Sequence, residues 1–159
     1  MQAIEAVERD IRQLLQDEQL AVLSTEQQGQ PYASLVAFAV TAELDDIFFC
    51  TPKTTRKFSN LVNNPRVAML INNCRNQLSD IYSAISVTAV GKAVEVAETS
   101  KEDRSALYLQ KHPHLKEFLW TETTALVQVR VERYFLVRKF QDVYEYKVSV
   151  SKDGGQTPS

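Results

Sequence analysis

Short apolar runs follow one another along most of this chain, with few helical segments between them. This order constrains the fold more than any other feature of the sequence. Strand-like runs are 20–24, 32–40, 47–50, 67–71, 81–96, 126–131, 134–140 and 143–150. Helical patterns cover 2–16, a short segment that begins near Thr54 and is ended by Pro65, and about 99–112. Because strands and helices do not alternate, the order predicts a mainly β fold, an antiparallel barrel with short helices at its edges, rather than a doubly wound sheet.

The length of 159 residues suits one domain, which we predict over 1–150, followed by a polar, disordered tail over 151–159. The net charge of −2 gives no general attraction to nucleic acid or to an anionic membrane. No apolar run approaches the ~20 residues that a membrane-spanning helix needs, and the first residues lack a signal-peptide pattern. The chain is therefore expected to be cytoplasmic.

A strand-to-helix turn carries the strongest functional signal. Segment 51–58 reads Thr-Pro-Lys-Thr-Thr-Arg-Lys-Phe, between the apolar run 47–50 and a short helix. The first backbone N–H groups of a helix have no partners within it, and the helix dipole there favours negative charge. A phosphate bound among these hydroxyls and cations would resolve the conflict between the basic side chains and the dipole. The alternative is an ordinary exposed helix with a threonine N-cap.

The same turn and its flanks resemble a known family. Ile47-Phe48-Phe49-Cys50-Thr51, then Thr55-Arg56-Lys57, then Asn63-Asn64-Pro65-Arg66-Val67 is similar to the signature of the pyridoxamine 5′-phosphate oxidase-like flavoproteins. The later Val90-Gly91-Lys92-Ala93 resembles another segment of that family. The resemblance implies a split β-barrel of the FMN-binding type. It also implies a homodimer that holds FMN at the subunit interface.

Position by position, the resemblance also implies a set of cofactor-binding residues. Arg56 and Lys57 would bind the FMN phosphate, strand 34–36 would run along the ring and ribityl chain, and Cys50 would flank the ring through its backbone. Ser86 falls where the family often has a glutamine that approaches the flavin. The complete implied set is Ser34, Leu35, Val36, Cys50, Thr51, Thr55, Arg56, Lys57 and Ser86.

Departures from the family's pattern concern the substrate side. Ser34 stands where the oxidase has an arginine, and the region near Ala39 is apolar where the oxidase has a lysine. No Arg-Leu-x-Pro segment occurs around 144–147. We therefore predict an FMN-dependent oxidoreductase with an unknown small-molecule substrate and no assignable catalytic residue. The alternatives are a haem-binding or haem-degrading relative, a non-catalytic flavin-binding protein, and the use of F420 in place of FMN.

Two histidines and a set of five aromatic residues are further candidate functional residues. His112 and His114 flank Pro113 and could ligate a metal or haem iron, but no acidic or cysteine cluster lies near them, so we predict no metal site. A histidine in the last turn of a helix is also favoured by the helix dipole. The aromatic residues are predicted to fill the core or a dimer interface, with Trp120 a candidate to lie over the ring. They are Phe118, Trp120, Tyr134, Phe135 and Phe140.

Overall fold

The computed structural model describes residues 2–149, and the predicted tail at 151–159 lies outside that range. The strands are β1 Leu20–Gln27, β2 Gln30–Val40, β3 Asp46–Pro52, β4 Arg66–Asn72, β5 Ile85–Glu95, β6 Thr124–Arg138 and β7 Asp142–Lys147. The helices are α1 Gln2–Asp17, α2 Arg56–Asn63, α3 Asp80–Ser83, α4 Glu98–Lys111 and α5 Lys116–Leu119, with a 3-10 turn at Pro113–Leu115. No helix within residues 2–149 is long and apolar enough to cross a membrane.

The strands form a closed antiparallel barrel. Their order is β3-β2-β1-β4-β5-β6, and a further pairing of β3 with β6 closes the ring of six strands. The seventh strand, β7, adds to the free edge of β6 beyond the segment that β3 occupies. The mainly β, antiparallel split-barrel prediction is therefore confirmed.

Two apolar clusters hold the barrel and its helices together. The larger fills the interior with alternate residues of the strands, including Leu23, Phe38 and Phe49, and α1 packs on it through Ile11 and Leu15. The smaller lies outside the barrel, where α4 and α5 cover the outer faces of β2 and β3. Its buried members are Ala39, Phe48, Cys50, Val96, Tyr108, Leu119 and Leu126.

Several predicted strand boundaries are wrong. The strand predicted over 81–96 begins at Ile85, because residues 80–83 form the short helix α3. The Asp80 carboxylate accepts hydrogen bonds from the backbone N–H groups of Arg75 and Gln77, which fixes the preceding loop. The runs 126–131 and 134–140 are one continuous strand, β6, and it ends at Arg138, where Lys139 and Phe140 adopt positive φ.

A glycine within the strand-like run 81–96 predicts a bulge or bend, and Gly91 lies at a bulge. The register between β5 and β6 shifts between Val90 and Gly91. A Cβ atom at Gly91 would lie 2.1 Å from the backbone oxygen of Arg130. Only glycine therefore allows the two strands to approach this closely.

The barrel is split between β2 and β3. These strands pair only from Phe38 opposite Phe49 to Val40 opposite Ile47. The first part of β2 continues along β1, whereas the end of β3 continues along β6. Residues 30–37 and 50–52 thus have an unpaired edge toward each other, and α2 follows β3 and packs on β1 and β2. We call this unpaired edge, together with the strand-to-helix turn 51–58 at its end, the cleft.

Candidate functional site

The threonines of the turn shape its backbone. Thr55 is the N-cap of α2, and its Oγ1 accepts a hydrogen bond from the backbone N–H of Phe58 at 3.3 Å. The hydroxyl oxygens of Thr51 and Thr55 lie 2.8 Å apart, and that of Thr55 lies 2.9 Å from the carbonyl oxygen of Pro52. Thr51 is only 1% exposed. Both hydroxyls are therefore engaged within the chain, and they hold the turn in the form that starts the helix.

The basic side chains of the turn divide into two groups. Lys53 forms an ion pair with Glu95 at 3.2 Å. Arg56 and Lys57 form no ion pair with any residue in the described range 2–149. They are the first two residues of α2, where the backbone N–H groups also have no acceptor within the helix. The first turn of α2 thus carries two cations without an ion-pair partner among residues 2–149 together with free N–H donors, which favours an anion there.

The strand that borders the cleft presents an unsatisfied hydroxyl. Ser34 and Val36 face the interior side of β2, and Leu35 faces outward and is 65% exposed. The Oγ of Ser34 is buried and has no hydrogen-bond partner. A buried polar atom without a partner costs ~1–3 kcal/mol, so a ligand oxygen that satisfied it would bind favourably.

Cys50 contributes no side chain to the cleft. Its thiol packs in the outer cluster beside Tyr108, and burial raises its pKa from 9.0 to about 12. Only its backbone borders the split edge of β3.

The burial of Cys50 predicts a difference in thiol reactivity. At pH 8, the folded protein is expected to release one equivalent of chromophore from a disulfide reagent, from exposed Cys74, and two after denaturation. Because the pKa of Cys50 is raised, it favours the folded state below pH ~9, and this contribution falls as the pH rises toward about 12. The control, Cys74→Ser, should release none while folded. Two equivalents from the native protein at pH 8 would contradict the buried position of Cys50.

Ser86 lies apart from the turn within one chain. It sits at the start of β5, opposite Asn72 of β4 and Val137 of β6. Two strands, β1 and β4, separate β5 from β2. The structure therefore brings Ser34 and the turn to one cleft and leaves Ser86 on the outer face of the sheet.

One of the two histidines, His112, has a structural role at the end of α4. His112 is buried, and its Nε2 lies 2.7 Å from the carbonyl oxygen of Phe38. Burial lowers the pKa of His112. This bond fixes the end of α4 to β2 and engages one of the two ring nitrogens. Within residues 2–149, no group of three His, Cys, Asp or Glu side chains could hold a metal ion.

The aromatic candidates occupy different environments. Tyr134 is buried in the core, and its hydroxyl donates to the carbonyl oxygen of Leu44 at 2.7 Å. Trp120 is half exposed and lies with its ring centroid 5.6 Å from the Nζ of Lys101, at the start of α4. Phe140 is exposed in the turn after β6.

Two residues beside the turn were missed by sequence reasoning. The guanidinium carbon of Arg56 lies 5.6 Å from the centroid of the Tyr32 ring on β2. Asn60 is 1% exposed, and its Nδ2 donates to the Oγ1 of Thr25 at 3.0 Å, while its Oδ1 has no partner. The spacing of four residues between Arg56 and Asn60 places them on one face of α2. That spacing was the available signal for Asn60.

Comparison with protein families gives a match over most of the chain. A family model described as pyridoxamine 5′-phosphate oxidase matches residues 7–138. This range includes every strand of the closed ring, the turn and the cleft. Among curated proteins, no sequence matches this chain.

Solved structures share the fold at low sequence identity. General Stress Protein 26 from Bacillus anthracis superposes with a TM-score of 0.67 at 16% identity, covering 89% of this chain and 98% of that one. An FAD-binding protein from Mesorhizobium loti gives 0.65 at 16% identity, covering 81% and 90%. A heme-binding protein from Mycobacterium smegmatis gives 0.75 at 18% identity, covering 86% of this chain. The alignment spans only 55% of the length of that heme-binding protein.

Proposed function

This chain belongs to the pyridoxamine 5′-phosphate oxidase family, and on that basis we propose that it is an FMN-binding flavoprotein that acts as an oxidoreductase on a small molecule. One observation carries the proposal. Arg56 and Lys57, neither of them in an ion pair within residues 2–149, stand at the first turn of α2 beside a split sheet edge. The family's flavin chemistry and this local demand for an anion point to the same ligand.

The phosphate of the flavin would be held at the start of α2. The Arg56 guanidinium can donate two hydrogen bonds to phosphate oxygens, and the Lys57 ammonium adds a second positive charge. Backbone N–H groups of the same helical turn supply further donors. Thr51 and Thr55 support this arrangement indirectly, because their hydroxyls fix the turn that presents those donors.

The ribityl chain and ring would lie along β2. The free Oγ of Ser34 would bind a ligand oxygen, and the unpaired edges near Val36 and Cys50 offer backbone N–H and C=O groups. When bound, the flavin supplies the electron- and hydride-transfer chemistry, and these residues bind it, orient it and limit its contact with water. The FAD-binding relative from Mesorhizobium loti is consistent with a flavin in this fold.

The substrate side differs from that of a vitamin B6 phosphate oxidase. Ser34 carries no charge, and Ala39 is buried against α4, so its side chain faces away from the cleft. Neither position supplies a cation for a substrate phosphate. We therefore propose a substrate other than pyridoxamine 5′-phosphate and assign no catalytic acid or base. The absence of any disulfide among the described residues suits action in the cytoplasm.

We further propose that two copies associate through the outer face of the sheet. Val22 of β1 lies opposite Leu35 of β2 on one side and Leu70 of β4 on the other, which makes an apolar row across three strands. Leu35 and Leu70 are both exposed. Ser86 lies on the same face, two residues along β5 from the neighbour of Leu70. A partner docked on this face would allow Ser86 to approach the flavin of the other subunit.

The dimer gives a direct prediction. Light scattering is expected to give twice the mass of one chain, and Leu70→Glu should shift the protein toward monomer because it places a charge within the apolar row. The control Ile4→Glu changes an equally apolar, exposed residue on α1 and should remain dimeric. A monomeric wild-type protein that still held FMN tightly would contradict this arrangement.

The absorbance spectrum of the purified protein tests the function itself. Flavin bands near ~450 nm, with FMN or a related flavin released on heating, would support the proposal. A sharp band near ~400 nm would instead indicate haem, and His114, which is exposed, would become the first candidate ligand. A colourless protein that also fails to bind added FMN would show that the turn serves only to cap the helix, and it would overturn the proposal.

A further inference from the structure

A second cavity opens directly beside the strand-to-helix turn. It has a volume of about 360 Å³ and lies between the β1–β2 hairpin and α2. This volume is within the range of ~300–1,000 Å³ typical of small-molecule sites. Its lining residues are Gln27, Gln28, Gln30, Tyr32, Arg56 and Asn60.

The cavity contains a buried acceptor that lacks a partner. Asn60 lines it, is 1% exposed, and has an Oδ1 without a hydrogen bond. Its Nδ2 is already bonded to Thr25, which fixes the orientation of the amide. A buried acceptor of this kind requires a donor, and a phosphate dianion has none to give. An occupant that carried an N–H or O–H group, as well as groups that accept from Arg56, would satisfy both residues.

The side chains that line the cavity have planar, polar end groups. The Arg56 guanidinium stacks over the ring of Tyr32, and such a pair can be extended by a further flat, delocalised group. Three glutamine amides from the hairpin offer both donors and acceptors, as the edge of a nucleobase requires. Arg56 is the one cation among the lining residues, and Glu26 is held nearby by bonds from Gly29 and Asn64. With one cation and a nearby carboxylate, the cavity is poorly matched to a ligand group that carries several negative charges.

The cavity lies farther along β2 than the proposed flavin phosphate, on the side away from the flavin ring. If the ring and ribityl chain lie near Val36 and the phosphate near Ser34 and Arg56, the next part of β2 toward the hairpin is Tyr32 and then Gln30. At ~3.3 Å per residue, Gln30 lies roughly 13 Å beyond Ser34 along the strand. That span is available to a group attached to the flavin phosphate on the side away from the ring.

We propose that this cavity binds the adenosine half of FAD, with the FMN portion of the same molecule in the cleft described above. The inference rests on the proposed flavin function and specifies its ligand. The adenine ring extends the Tyr32–Arg56 stack, a ribose hydroxyl or the adenine amino group donates to the Oδ1 of Asn60, and Arg56 binds the pyrophosphate.

Equilibrium titration of the flavin-free protein with FMN and, separately, with FAD tests the inference. FAD is expected to bind more tightly by roughly tenfold, the effect of one base stacked on an aromatic side chain. Tyr32→Ala should remove this advantage, so that its loss of FAD affinity exceeds its loss of FMN affinity by roughly tenfold, since the ring also supports the Arg56 guanidinium that both flavins use.

The chain offers a matched control in Tyr144. Tyr32 and Tyr144 are both 37% exposed, and Tyr144 also lies beneath an arginine, with the guanidinium carbon of Arg138 at 5.4 Å. Tyr144→Ala should leave the FAD-to-FMN ratio unchanged. Equal affinities of the wild-type protein for the two flavins would overturn the adenosine site and leave the flavin function standing, as would an equal loss of both in Tyr32→Ala. Binding of neither flavin would overturn both.

Discussion

Replacing Arg56 and Lys57 together with alanine is expected to weaken flavin binding by roughly 100-fold to 10,000-fold, the loss of two charge-assisted interactions with a phosphate. Neither side chain forms an ion pair within residues 2–149, so their removal leaves no charge unpaired. The fold should remain intact, because the N-cap bond of Thr55 does not depend on them. Fluorescence titration with FMN measures the effect, and circular dichroism checks the fold.

The control removes the same two residue types at another place. Arg104→Ala with Lys116→Ala changes exposed residues of α4 and α5 and gives the same change in net charge. This variant should bind FMN as the wild type does. Similar affinities for all three proteins would show that the start of α2 is not the phosphate site, and an equal loss in both double variants would indicate only a general effect of charge.

The largest expected effect on stability comes from Gly91→Ala. The new Cβ would lie 2.1 Å from the backbone oxygen of Arg130 and 3.0 Å from the Cα of Val131. Backbone atoms of two paired strands cannot move aside as a flexible side chain can, so β5 and β6 must separate locally. We expect a loss of roughly 3 kcal/mol or more in the free energy of unfolding, measured by urea titration.

Gly29→Ala separates this steric effect from loss of conformational freedom. Gly29 has φ +83° in the hairpin turn, and its Cβ would meet no atom within 4 Å. Its substitution should cost only about 1 kcal/mol, the strain of a left-handed residue that is not glycine. If Gly91→Ala were no more damaging than Gly29→Ala, the close approach of β5 and β6 at the bulge would not be a constraint on the fold.

Local chemistry in the sequence predicted the elements that it controls. The threonine N-cap and Pro65 bracket α2, and Gly91 marks the bulge, because each acts through its own backbone geometry. Sequence reasoning failed where the pairing between strands determined the bounds of an element. The alternation of apolar and polar residues was read as two strands at 126–140, but a shift of register lets one strand, β6, continue between β5 and its other partners.

In the candidate site, too, local sequence predicted some features, whereas others depend on contacts between distant residues. The turn and its cations were predicted from spacing, whereas the pairing of Lys53 with Glu95 joins residues far apart in the sequence. Likewise, no local pattern marks the Oγ of Ser34 or the Oδ1 of Asn60 as lacking a partner, since that depends on every neighbour in three dimensions. Residue types predicted the chemistry of the site, and only the assembled barrel determined which groups remain available.

The pairing of β3 with β6 has a consequence for when the cleft can form. Thr51 lies opposite Ala125, and the backbone N–H of Lys53 donates to the carbonyl oxygen of Thr123 at 2.8 Å, so the start of the turn is held by residues about 70 positions later. Closing a loop of this length is slow compared with forming hairpins. During synthesis, the first half of the chain can form β1 and β2 but has no partner for the end of β3. Cofactor insertion must therefore wait until β6 has left the ribosome, and a chain that stops before Thr124 should have no flavin affinity.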